Sequence, residues 1–124
     1  MVRWNGTATL TTVVMLAVLL TVGPSGAASA QATSAAIDIK DLAYGPASIQ
    51  ITQGDTVTWT NSEEIMPHDV TSGAPGQPDV GQLFSSEILL PGQSFSVTFA
   101  DAGEFVYLCK LHPTMIGVVV VLPN

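Results

Sequence analysis

The feature that most constrains this chain is a two-residue alternation of apolar and polar side chains, repeated in short runs from residue 36 onward. Ala36-Ile37-Asp38-Ile39-Lys40, Ser48-Ile49-Gln50-Ile51-Thr52, Thr56-Val57-Thr58-Trp59-Thr60 and Ser94-Phe95-Ser96-Val97-Thr98-Phe99 each put their large apolar groups on one face of an extended strand. Glu104 to Cys109 and the apolar run Ile116 to Leu122 read as two more, and Asp69-Val70-Thr71 and Leu83 to Leu89 complete a set of about eight. Gln53-Gly54-Asp55, Pro91-Gly92 and Asp101-Ala102-Gly103 are turns, and Ser72 to Gln82, with its Gly, Pro and Asp, is a loop. Beyond residue 30 no segment keeps a helical period. The pattern predicts an all-β domain, an eight-stranded antiparallel β-sandwich.

Residues 1–30 do not fit that pattern. Arg3 precedes an uncharged apolar run from Leu10 to Val22; Gly23, Pro24 and Gly26 follow, and Ala28-Ser29-Ala30 is a small-x-small cleavage site. This order is that of a secretory signal peptide. The run is short for a membrane span, which needs about 20 residues, so cleavage is expected rather than retention as an anchor, and no span is expected afterwards. The division is thus a signal at 1–30, a flexible tail at 31–35 and a domain at 36–124, in an exported protein of the periplasm or another extracytoplasmic space. Removing the signal also removes much of the mean hydropathy of +0.43.

The remaining 94 residues carry ten acids against two lysines, Lys40 and Lys110, a formal net charge of −8. Nucleic-acid binding is disfavoured, because it calls for clustered Lys and Arg. The single cysteine excludes an internal disulfide. A domain this small, exported and without disulfides, needs a good core, a metal, or both.

The soft and nitrogenous side chains after residue 30 are Met66, His68, Cys109, His112 and Met115. Three of them form Cys109-x-x-His112-x-x-Met115 at the end of an expected strand. His68 begins another, and in a sandwich the ends of two such strands can meet at one pole. A thiolate and two imidazoles with a weak thioether suit copper cycling between Cu(II) and Cu(I): thiolate and thioether favour Cu(I), imidazole favours Cu(II). Pro113 stiffens the short loop by fixing its own φ. Taken singly, each residue has a plainer reading, with Cys109 and Met115 as core fillers and His68 as a surface residue; the spacing of the set argues for the metal.

Three motifs carry a resemblance over nearly all of residues 31–124: Gly54-Asp55-Thr56-Val57-Thr58-Trp59-Thr60-Asn61, Met66-Pro67-His68, and Cys109 to Met115. The chain resembles the type 1 blue copper proteins, or cupredoxins, in the branch of amicyanin, pseudoazurin and plastocyanin. Its Cys-x-x-His-Pro-x-Met loop is most like that of amicyanin. The resemblance implies a Greek-key sandwich and one type 1 copper held by His68 Nδ1, Cys109 Sγ, His112 Nδ1 and, axially, Met115 Sδ. It implies single-electron transfer through the edge of His112, within an apolar patch of Met66, Pro67, Leu90, Pro91, Leu111 and Pro113. The partners are redox proteins such as a c-type cytochrome or a dehydrogenase or oxidase, met by a monomer in brief encounters. Glu63, Glu64 and Asp69 are placed to steer a basic partner.

Two departures stand out. The branch usually has Asn after the first His, where this chain has Asp69; a carboxylate accepts hydrogen bonds but does not donate them, and its charge favours Cu(II). The residue before the cysteine is Leu108, where plastocyanins have a Tyr, so no second electron port is expected, and Tyr107 is a core residue. Competing readings are a copper chaperone or storage protein with no redox partner, and a zinc-stabilised adhesion-type sandwich, although zinc seldom takes an axial Met. An enzyme is not expected: there is no His-x-His pair for a trinuclear copper cluster, no second Cys for a binuclear one, and no acid–base set left over.

Overall fold

The structure is a computed structural model and describes residues 21–24, 26 and 31–124. The expected signal peptide lies almost wholly outside the described residues. Among the described residues no helix is long and apolar enough to cross a membrane.

Among the described residues eight strands form two four-stranded sheets. The strands are β1 (Ser34–Lys40), β2 (Ala43–Gly45), β3 (Ser48–Thr52), β4 (Thr56–Asn61), β5 (Thr71–Ser72), β6 (Ser94–Thr98), β7 (Gly103–Leu108) and β8 (Ile116–Leu122). One sheet has the order β2-β1-β4-β6 and the other β3-β8-β7-β5. The alternation decides the inner faces of β1 and β4, where Ile37 and Ile39, and Val57 and Trp59, are buried while their neighbours are exposed or half-buried; in the uniformly apolar β8 the pleat alone sets Val119 and Val121 inward. Trp59 packs edge-on to Tyr107 at a centroid distance of 5.2 Å, and Tyr44 packs on Tyr107 at 4.7 Å. This aromatic stack joins the two sheets. Gly117 is required beneath it, since a Cβ there would overlap the Tyr107 ring and hydroxyl.

The eight-stranded Greek-key sandwich expected from the sequence is the fold observed, with differences in detail. The sheets are mixed: β1 runs parallel to β4 and β3 parallel to β8, and the remaining pairs are antiparallel. Strand β1 begins at Ser34, within the segment read as a tail, because Ser34 and Ala35 pair with Thr56 and Val57 and the Thr33 N–H donates to Asp55 Oδ1. The strand expected at Leu83–Leu89 is irregular and makes only the bridges His68↔Leu89 and Thr71↔Ser85. Its place in the count is taken by β2, formed by a tight hairpin whose two turn residues, Asp41 and Leu42, have φ of 54° and 57°.

Strand β5 is shorter than Asp69–Thr71 suggested and shifted toward Ser72. Side chains take the donors that a ladder would use: Asp69 N–H points at Cys109 Sγ and Val70 N–H donates to Ser86 Oγ. This displacement shapes the end of the sandwich where the chemistry lies.

Candidate metal centre

The β5·β7 register pairs Thr71 with Leu108. Continued past the strand ends, antiparallel pairing sets residues 68–70 beside residues 109–111, which brings the only cysteine next to the first histidine. A tight double turn after β7 then supplies the second histidine. His112 N–H donates to the Cys109 carbonyl at 3.2 Å, Met115 N–H to the His112 carbonyl at 2.8 Å, and Cys109 N–H to the Met115 carbonyl at 3.1 Å. The loop closes on itself before β8 begins.

Three donors converge. Cys109 Sγ lies 3.8 Å from His68 Nδ1 and 3.8 Å from His112 Nδ1, and all three atoms lie within 4.8 Å of one another. The imidazole rings are 4.9 Å apart, inclined at 53°. His68 and Cys109 are fully buried and His112 is half-buried. Met115 is 2% exposed and lies on the same turn. The four residues singled out in the sequence therefore meet at one pole, three through their donor atoms and Met115 through its backbone.

Burial prepares the donors. It is the largest influence on His68, lowering its pKa against the opposing pull of Glu63, so the ring is held neutral with a lone pair to give. Burial also pushes the Cys109 thiol up, partly offset by the Asp69 N–H at 3.4 Å. A metal must displace that proton, which ties affinity to pH. On the far side of the first ring, His68 Nε2 is buried with no well-aligned hydrogen bond among the described residues, and Glu63 Oε1 stands 3.4 Å away. A ring that faces the cluster through Nδ1 and a carboxylate through Nε2 is the arrangement in which an outer carboxylate fixes a metal-binding imidazole. A thiol, two imidazole nitrogens and a neighbouring thioether residue form a donor set that fits copper.

Polar residues beyond the donors hold the loops. Asn61, fully buried at the end of β4, donates to the carbonyls of Met66 (2.9 Å) and Leu89 (2.8 Å) and accepts from the Glu63 N–H. His68 and Leu89 exchange backbone bonds of 3.1 and 2.7 Å. Asp69 is 3% exposed; its Oδ1 accepts the Lys110 N–H at 2.7 Å, and its carbonyl accepts the Tyr44 hydroxyl at 2.6 Å. The sequence assigns no role to Tyr44, or to Asn61 and Lys110 although both lie within the motifs that carry the resemblance. Asn61 does leave a trace there: it occupies the inward register of Val57 and Trp59, where an apolar residue is expected.

Comparison with known proteins agrees with this geometry. The family model for copper binding proteins of the plastocyanin/azurin family matches residues 31–122. Amicyanin of Paracoccus versutus is 34% identical over 100 residues, 79% of this chain and 72% of that protein. The chloroplastic plastocyanin of Tetradesmus obliquus is 33% identical over 125 residues, 94% of this chain and 86% of that protein. The crystal structure of the Paracoccus versutus amicyanin superposes with a TM-score of 0.62 at 32% identity, covering 72% of this chain and 81% of that one.

Proposed function

The chain belongs to the plastocyanin/azurin family of copper-binding proteins, and from that premise we propose that it is a small exported carrier of single electrons. The observation that carries the reading is the convergence of one buried thiol and two imidazole nitrogens at 3.8 Å on the end of a rigid sandwich. We assign His68 Nδ1, Cys109 Sγ and His112 Nδ1 as the copper ligands and Met115 as the axial one. Copper supplies a one-electron couple. The residues supply a fixed donor set, exclusion of water at His68 and Cys109, and a half-buried ring edge at His112 toward solvent. A site held this tightly changes little between charge states, which keeps electron exchange fast.

Docking is assigned to the surface around His112. Leu111 and Pro113 flank it and are exposed; the His68↔Leu89 bridge sets Met66 and Pro67 beside exposed Leu90 and Pro91. Such a small apolar face suits brief encounters with a redox protein, a c-type cytochrome or a dehydrogenase or oxidase. Glu63 and Glu64 beside it favour a basic partner, with rates that fall as salt rises. The protein acts as a carrier rather than an enzyme, as a monomer, in the periplasm or another extracytoplasmic space after cleavage of residues 1–30.

Voltammetry and self-exchange kinetics on the copper-loaded protein test this reading. A reversible one-electron wave with copper that resists a chelator is expected. Rapid loss of copper to the chelator, or an irreversible wave, supports the chaperone or storage reading and overturns the carrier.

A further inference from the structure

Asp69 and Lys110 meet where the two loops that supply the donors touch. One residue follows His68 and the other follows Cys109. Asp69 is the more deeply placed: its side chain is 4% exposed, against 52% for Lys110. Its two carboxylate oxygens divide the contacts, Oδ1 accepting the Lys110 N–H at 2.7 Å and Oδ2 lying 3.7 Å from Lys110 Nζ. Its own N–H points at Cys109 Sγ. A buried carboxylate beside a centre that changes charge by one favours the more positive state, and an ammonium on the same carboxylate opposes that preference. Lys110 is one of only two bases after residue 30, so its position on the one carboxylate that bridges the loops carries weight.

We propose that Lys110 and Asp69 form an internal charge clasp that locks the His68 loop to the Cys109 loop and sets the poise of the copper couple, with Lys110 as a positioning residue that neutralises the buried carboxylate. The carboxylate alone draws the potential down; the ammonium restores it. In the potential readout the proposal rests on the copper reading above; in the metal-free protein it does not.

The test is a double-mutant cycle with Lys110→Gln, Asp69→Asn and their combination, and Lys110→Arg as the charge-conserving control. On copper-loaded protein that keeps its thiolate absorption band, Lys110→Gln is expected to lower the midpoint potential and Asp69→Asn to raise it. Each changes the Cu(I)/Cu(II) ratio at a fixed solution potential by about two- to fivefold, the range carried by a half-exposed ion pair. The double variant returns toward the parent, and Lys110→Arg stays close to it. In urea unfolding of the metal-free protein, the two single substitutions are expected to be non-additive. Additive shifts, or an unchanged potential in Lys110→Gln with an intact band, overturn the clasp. If the parent shows no band, the copper reading fails, and the metal-free cycle alone decides the clasp. If Asp69→Asn does not fold, Lys110→Gln against Lys110→Arg decides it.

Discussion

Asn61→Ala is the substitution that most sharply separates the frame of the site from the site itself. Asn61 makes no hydrogen bond to the three converging donors among the described residues, yet its amide fastens the segment before His68 to the segment around Leu89. Truncation removes two donated bonds and one accepted bond inside a fully buried position. The Leu89 carbonyl keeps the His68 N–H, but the Met66 carbonyl and the Glu63 N–H lose the amide. A buried hydrogen bond is worth about 1 kcal/mol net, and an orphaned buried group costs about 1–3 kcal/mol, so the total is about 2–4 kcal/mol. For a domain under 100 residues, that corresponds to a fall of roughly 10 °C or more in Tm. The assay is urea unfolding of the metal-free protein, to keep metal linkage out of the difference. Asn61→Asp serves as a near-isosteric partner that keeps the acceptor, loses the donor and turns a carboxylate toward two carbonyls; it is expected to cost at least as much. A loss below about 0.5 kcal/mol in Asn61→Ala, or an Asn61→Asp protein as stable as the parent, refutes the reasoning.

Three further substitutions probe the frame. Gly117→Ala drives a Cβ into the Tyr107 ring, with Cε1 at 2.8 Å, and is expected to destabilise by about 3 kcal/mol or more, with part recovered by adding Tyr107→Leu; thermal melts of the single and double variants check both. Tyr44→Phe removes the 2.6 Å bond to the Asp69 carbonyl while keeping the aromatic stack, and calorimetry is expected to show a loss of about 1–2 kcal/mol. The Asp55 carboxylate accepts the Thr52 and Thr33 N–H groups, which hold its pKa below the ordinary carboxylate value. Its stabilisation is therefore full above the ordinary carboxylate range and is lost as pH falls through the lowered folded value. Asp55→Asn is expected to flatten the acid limb of a plot of urea midpoint against pH, and an unchanged acid limb contradicts that role.

Much of this architecture is legible in the sequence, because burial on one face of a strand writes itself as alternation. Val57 and Trp59, and Ile37 and Ile39, are inward both by pattern and in the structure, whereas in the unbroken apolar run of β8 nothing in the sequence marks Val119 and Val121 as the inward pair. What the alternation does not carry is partnership. Whether β1 lies parallel to β4 depends on crossovers that leave no local mark. The β1–β2 hairpin escapes notice because its turn is Asp41-Leu42, without the glycine that usually signals two positive φ values. Leu83–Leu89 has strand-like composition, but Ser72 and Ser86 side chains capture backbone donors along it and beside it. The donor cluster is legible because Cys109, His112 and Met115 fall within seven residues and His68 is the only other histidine. Its supports are not: the bonds of Asn61 to Leu89, Tyr44 to Asp69 and Asp69 to Lys110 span 28, 25 and 41 residues of chain. Distances of that kind are products of the fold.

The most direct test of the central claim is the absorption spectrum of residues 31–124 titrated with Cu(II), alongside Cys109→Ala. One equivalent is expected to produce an intense visible thiolate-to-copper band that saturates at a 1:1 ratio and vanishes in the variant. A colourless complex, or a band that persists without the Cys109 thiol, contradicts the assignment of Cys109, His68 and His112 as the copper site.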